Sequence, residues 1–175
     1  MKKIITLCLL LTCLTGYLSA QEQNDASNKF QVSIKEVPEM SIVYYSFTGP
    51  YEQSFNDFGK LMAYIQQNKI PMGAHALGIF YDDPSTVSAD KLRSEAGYMV
   101  SKKVEVSGNY KFKTLPAGKA VSVRYKSMND IMTAYQTIGK YIGENGIETE
   151  PYSIEIYYSS DPSVIDAEIL MMIKN

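Results

Sequence analysis

Apolar and polar positions along the chain trace the same pattern twice. In the first copy, Val37-Pro38 leads into a strand-like run, Ile42 to Phe47, and then into Thr48-Gly49-Pro50-Tyr51. A helical pattern follows, with Tyr51, Phe55, Phe58, Leu61, Met62 and Ile65 recurring at spacings of three and four. In the second copy, Leu115-Pro116 leads into Ala120 to Tyr125, then Ser127, then Met128, Ile131, Met132, Tyr135, Ile138 and Ile142 at the same spacings. The matching prolines lie 116 minus 38, or 78, residues apart, so the chain carries an internal repeat. Pro50 suits a first helical turn, Ser127 and Asp130 have capping-box spacing, and Gly146 can stop the second helix.

Two further strand-like runs follow each helix. They are Leu77 to Tyr81 and Ala96 to Val100 in the first copy, and Ser153 to Tyr158 and Ala167 to Ile173 in the second. An extra strand precedes each proline, at Val32 to Lys35 and at Tyr110 to Thr114. The prediction is an α+β fold in which a duplicated strand-helix-strand-strand unit gives about eight mostly antiparallel strands. Both helices lie on one face, and a ligand groove runs between the repeats.

The N-terminus has a different character. Lys2 and Lys3 precede an apolar run from Ile4 to Leu14 and a short stretch ending Leu18-Ser19-Ala20, the layout of a secretory signal peptide cleaved after Ala20. The run falls short of the roughly 20 residues that span a bilayer, so stable membrane insertion after cleavage is not expected. Cys13 offers a lipoprotein alternative, which Thr12 just before it disfavours. Residues 1–20 are thus read as a signal peptide, 21–29 as a polar flexible leader and 30–175 as one domain, in the periplasm or outside the cell.

Both cysteines, Cys8 and Cys13, fall within the signal, which leaves a mature chain without thiols. Removing Lys2 and Lys3 from the 17 basic residues leaves 15 against 19 acidic ones, a balance that does not attract nucleic acid. His75 is the single histidine and reads as a loop residue, since a metal or haem site would need partners that the pattern does not supply. Asp82, Asp83 and Glu95 read as part of a solvated turn rather than a calcium loop. No phosphate-binding glycine loop or nucleophile elbow is present. No metal and no cofactor are expected.

The order of Phe47-Thr48-Gly49-Pro50-Tyr51, Ile79-Phe80-Tyr81-Asp82-Asp83-Pro84, Leu92-Arg93-Ser94-Glu95-Ala96-Gly97, Pro151-Tyr152-Ser153-Ile154-Glu155-Ile156-Tyr157 and Asp166-Ala167-Glu168-Ile169-Leu170 resembles the GyrI-like family. That family includes gyrase-inhibitory proteins and the effector-binding domains of AraC-type and MerR-type multidrug regulators. The chain departs from it at Lys126-Ser127-Met128, where the family carries a glycine and a tyrosine. The resemblance implies an effector-binding domain that takes lipophilic, bulky aromatic or cationic small molecules, here exported and without a DNA-binding domain. It places the family's buried glutamate at Glu155.

Alternation along Ser153 to Tyr158 sets Ile154 and Ile156 on one face and Glu155 and Tyr157 on the other. With the isoleucines against the helices, Glu155 would point into a groove on the opposite face. Its alternative is a solvated or ion-paired strand residue. Tyr157, Tyr98, Tyr81 and Tyr45 are the candidate aromatic walls, because tyrosine offers an apolar body and a polar tip. The helical tyrosines Tyr51, Tyr64, Tyr135 and Tyr141 are assigned to packing. The resemblance also leaves open a hydrolase in which Glu155 directs water.

Overall fold

The computed structural model describes residues 29–159, 161 and 163–174. The expected export signal, the Cys13 lipid site and nearly all of the polar leader lie outside the described residues. Eight strands form one sheet: β1 (Val32–Val37), β2 (Met40–Thr48), β3 (Met72–Phe80), β4 (Arg93–Val100), β5 (Lys111–Leu115), β6 (Gly118–Tyr125), β7 (Ser153–Tyr157) and β8 (Ala167–Met172). Their order is β1-β6-β8-β7-β3-β4-β2-β5, and every pairing is antiparallel. The helices are α1 (Phe58–Gln67) and α2 (Ile131–Glu144). This is the duplicated α+β architecture that the apolar pattern predicts.

The sheet cannot be flat. Strands β1 and β2 have five strands between them, which in a flat sheet would hold them roughly 29 Å apart at the usual interstrand spacing. Only Pro38 and Glu39 connect them, so the sheet curls until its two edges approach one another. Pro116 and Ala117 make the same short connection from β5 to β6. The curled interior is a core of its own, holding Ile42, Leu77, Ile79, Ile154, Leu170 and Met172. The helices cover the other face in two separate patches. Leu61 and Ile65 of α1 pack on Val43 and Ala96, while Ala134 and Ile138 of α2 pack on Val121, Val123 and Ile169.

The helix ends show how closely the repeats correspond. The Asn68 side chain donates to the Tyr64 carbonyl, and the Asn145 side chain donates to the Tyr141 carbonyl. The Ile70 and Ile147 amides then donate back to Ile65 and Ile142. Each closure needs one left-handed residue, filled by Gly146 at φ 61° in the second repeat and by Lys69 at φ 51° in the first. The starts differ from expectation. Tyr51–Gln53 is a separate 3-10 turn ahead of α1, and another, Met128–Asp130, precedes α2. Ser127 accepts from the Asn129 amide rather than forming a capping box, and Asp130 instead pairs with Lys29 at 2.6 Å.

Candidate functional site

The two repeats meet where β3 pairs with β7, and there Gly78 stands directly opposite Glu155. Strand alternation puts Glu155 on the face covered by the helices, between the α1 and α2 patches. The expectation that Ile154 and Ile156 meet the helices is therefore corrected: both belong to the curled interior, and the carboxylate belongs to the helix side. Both faces of this sheet are buried, so an apolar alternation fixes which residues share a face and not which face the helices take.

Glu155 is 2% exposed. Three phenols donate to it: Tyr125 and Tyr157 to Oε2, each at 2.8 Å, and Tyr135 to Oε1 at 2.7 Å. Tyr135 also lies 2.9 Å from the Ser153 hydroxyl. None of the ion pairs among the described residues includes Glu155. The alternative of a solvated or ion-paired strand residue is thereby excluded for the described chain. Both carboxylate oxygens accept hydrogen bonds, two at Oε2 and one at Oε1, and every donor is a neutral phenol.

An aromatic slab lies beside the carboxylate. Phe55 meets Tyr157 edge-on with ring centroids 5.3 Å apart, Phe58 stands 5.6 Å from Phe55, and Tyr98 stands 6.3 Å from Phe58. Beneath these rings the floor is made of small residues. Tyr98 and Tyr157 both pair across the sheet with Ala76, and the neighbouring row runs Ala96, Gly78, Glu155. Ala76, Gly78 and Ala96 leave the rings room to lie close to the backbone.

The predicted site residues thus separate. Glu155, Tyr157 and Tyr98 come together on the helix face. Tyr45 reaches the same face, but it is buried and its hydroxyl is committed to the Ser54 carbonyl at 2.7 Å. Burial pushes its phenol up to about 12. Tyr81 does not join them. It continues the alternation of Leu77 and Ile79 into the interior face, where its hydroxyl accepts from Lys113 at 3.1 Å and Lys113 pairs with Glu95. Glu95 is thus a largely shielded residue of β4 and not part of a solvated turn as expected. Two of the phenols that hold Glu155 are not among the predicted residues: Tyr125, and Tyr135, which helical spacing assigns to packing. The repeat carries the signal for both. Phe47, Phe58, Phe80 and Gly78 occupy in the first repeat the positions of Tyr125, Tyr135, Tyr157 and Glu155 in the second. Hydroxyls are present only where there is a carboxylate to receive them.

Burial raises the phenols of Tyr125, Tyr135 and Tyr157 well above their ordinary value, and the negative charge of Glu155 raises them further. In the unfolded chain they would ionise near pH 10. Their contribution to stability is therefore complete below about pH 10 and is lost as the pH climbs from there toward the raised folded-state values. A spectrophotometric titration should show a late tyrosinate step coincident with loss of tertiary structure. Ionisation of all tyrosines at ordinary pH in a still-folded protein would contradict this assignment.

Among the described residues no group of three His, Cys, Asp or Glu side chains is placed to hold a metal ion, and no helix is long and apolar enough to cross a membrane. The reading of His75 as a loop residue is corrected: it lies within β3, which begins at Met72, and its ring stands edge-on to Tyr158 with centroids 4.7 Å apart.

Comparison with known proteins agrees with this geometry. Residues 30–174 match the model of the GyrI-like small molecule binding domain. The chain is 30% identical over 135 residues to DNA gyrase inhibitor 2 of Dickeya dadantii (strain 3937), covering 66% of this chain and 85% of that protein. Its fold is similar to the C-terminal domain of EcmrR, with a TM-score of 0.67 and 20% identity over 84% of this chain and 99% of that domain. Against EcmrR in a DNA complex the TM-score is 0.69 at 19% identity, covering 91% of this chain, which spans 63% of that protein's length. SAV2435 bound to tetraphenylphosphonium shares the fold at a TM-score of 0.51 and 14% identity, over 83% of this chain and 94% of that one. The family match, with the fold shared by these structures, puts the chain in the class of small-molecule-binding domains. The chain belongs to the GyrI-like small-molecule-binding domain family.

Proposed function

We propose that this protein binds bulky aromatic cations at the junction of its repeats, with Glu155 supplying the counter-charge and Tyr157 and Tyr98 part of the aromatic wall. One observation carries the reading: a buried carboxylate held by three neutral phenols and by no cationic side chain of the described protein. Burying such a charge is unfavourable, and a lipophilic cation entering the site relieves it more than it would in water. Ring faces beside the carboxylate add roughly 0.5–2 kcal/mol each through cation-π attraction. The tetraphenylphosphonium held by SAV2435 is a ligand of this chemical type. Occupation of both carboxylate oxygens by phenols favours binding over the hydrolase alternative, in which Glu155 would have to engage a water.

The test is an isosteric ligand pair. An aryl trimethylammonium and its neutral tert-butyl analogue have the same shape and differ by one charge. The wild-type protein should prefer the cation by at least about tenfold, or roughly 1.4 kcal/mol. Equal affinity would sink the proposal.

We also propose that binding takes place outside the cytoplasm, on the strength of the N-terminal Lys2-Lys3, apolar and Ala20-terminated pattern. Intact mass of protein recovered from the periplasm or medium should correspond to a chain beginning at Gln21. A chain that keeps its first twenty residues, or one lipidated at Cys13, would contradict this.

A further inference from the structure

The second repeat leaves open a space that the first one fills, and the space lies on the curled interior face, away from Glu155. Ser33, Ser122, Arg124 and Glu168 line a cleft there of about 290 Å³. Glu168 and Ser122 reach this face because they alternate with and pair beside Leu170, a residue of the interior core. Ser33 is exposed, so the cleft opens to solvent, while Ser122 within it is buried. Ser33 pairs with Ser122 as Lys111 pairs with Tyr44, so two serines stand where the first repeat has a tyrosine ring and a long aliphatic chain. Leu170 stands opposite Ser122 where Gly97 stands opposite Tyr44, and the cleft is the room that it does not take.

What borders the space is alike in both repeats. In the first, Lys113 pairs with Glu95 and donates to the Tyr81 hydroxyl, and its ammonium lies 4.7 Å from the centroid of the Tyr44 ring. In the second, Lys35 pairs with Glu168 at 3.0 Å, and the Tyr158 hydroxyl donates to Glu168 at 2.6 Å. Strand pairing makes Lys35 and Glu168 the counterparts of Lys113 and Glu95. The Tyr44 ring has no counterpart. Among the described residues Lys35 lies over no aromatic face, and its side chain is 39% exposed against 24% for Lys113. The charged groups along the cleft already have partners: Lys29 pairs with Asp130, Arg124 with Asp166 and Glu168 with Lys35. A charged ligand would find no unpaired counter-ion there, whereas a neutral ring needs none.

We infer that this cleft is a second ligand site, which takes a neutral single-ring aromatic of the phenol class in the place of the Tyr44 ring, beside the Lys35 ammonium. The volume suffices, since roughly 150 Å³ holds benzene in another protein. The ring face attracts the ammonium of Lys35 as that of Tyr44 attracts Lys113. The Ser33 and Ser122 hydroxyls, 2.9 Å apart, offer the phenol a hydrogen bond. The site lies on the opposite face of the sheet from Glu155 and does not depend on the function proposed above.

p-Cresol, the tyrosine side chain as a free molecule, tests this when titrated into the protein and followed by amide chemical shifts. Saturable shifts should centre on Ser33, Ser122 and Arg124. Ser33→Tyr, at an exposed position on the edge strand β1, fills the cleft from its rim and should weaken binding at least about tenfold, with a thermal melt confirming that the variant is folded. trans-4-Methylcyclohexanol has a similar size and the same hydroxyl but no π face, and it should bind at least about threefold more weakly than p-cresol. Shifts centred on the neighbours of Glu155, an absence of saturable shifts, or an affinity unchanged in folded Ser33→Tyr would overturn the site. Equal affinity for the two compounds would overturn the assignment of an aromatic ligand.

Discussion

Glu155→Leu is expected to destabilise the fold by about 2–6 kcal/mol, whereas Glu155→Gln is expected to leave stability unchanged or raise it. Leucine strands the hydroxyls of Tyr125 and Tyr157, whose one acceptor in the structure is Oε2, at about 1–3 kcal/mol for each orphaned group. Tyr135 is spared because the Ser153 hydroxyl remains available to it. Glutamine can satisfy all three phenols. Its carbonyl oxygen takes the place of Oε2 and accepts from Tyr125 and Tyr157, while its amide donates to Tyr135, which turns its own proton to Ser153. The amide also removes a buried charge that lacks a cationic partner, a change that is often neutral or stabilising in other proteins. Urea unfolding of the two variants beside wild type measures the contrast. Equal destabilisation by leucine and glutamine would mean that the charge itself, and not the satisfaction of the phenols, holds this region together.

Tyr157→Ala carries the second large effect, and its signature is loss without selectivity. The ring lies against Phe55 and packs on the cluster beneath α2, and its hydroxyl holds Glu155, so truncation removes a wall of the proposed site and leaves a void between Phe55 and that cluster. Truncating a buried aromatic residue typically costs about 3–5 kcal/mol of stability. Affinity for an aryl cation and for its neutral isostere should fall together, because stacking area is lost from both. Calorimetric titration of the two ligands separates this outcome from the alternative. A selective loss of the cation would make Tyr157 a partner of the charge rather than of the ring.

Much of this architecture was legible in the order of apolar residues. The repeat announced itself in Val37-Pro38 and Leu115-Pro116 and in Tyr64-Ile65 and Tyr141-Ile142 before their asparagines, and each of the eight predicted runs overlaps a strand, although β3 begins at Met72 rather than at Leu77. The face of Glu155 was not legible. Ile154 and Ile156 look like residues bound for the helices, yet a curled sheet has a second buried face, and they line that one. Curling depends on the β1–β2 and β5–β6 links crossing from edge to edge, which becomes apparent only once the strand order is known. Tyr81 illustrates the same limit, since being one residue beyond Phe80 sends it to the interior. Tyr135 was hidden differently. Helical periodicity shows that it faces the sheet, and only alignment of the repeats shows that Phe47, Phe58 and Phe80 all become tyrosine where Gly78 becomes Glu155.

Whether the unpaired charge of Glu155 sets the ligand preference, as proposed, is decided by removing that charge and little else. The comparison is calorimetric: an aryl trimethylammonium and its tert-butyl isostere are titrated into wild-type and Glu155→Gln protein. The variant is expected to lose about tenfold or more in affinity for the cation, some 1.4 kcal/mol, while its affinity for the neutral compound stays the same. Parallel losses for both ligands, or an undiminished preference for the cation in the variant, would contradict it.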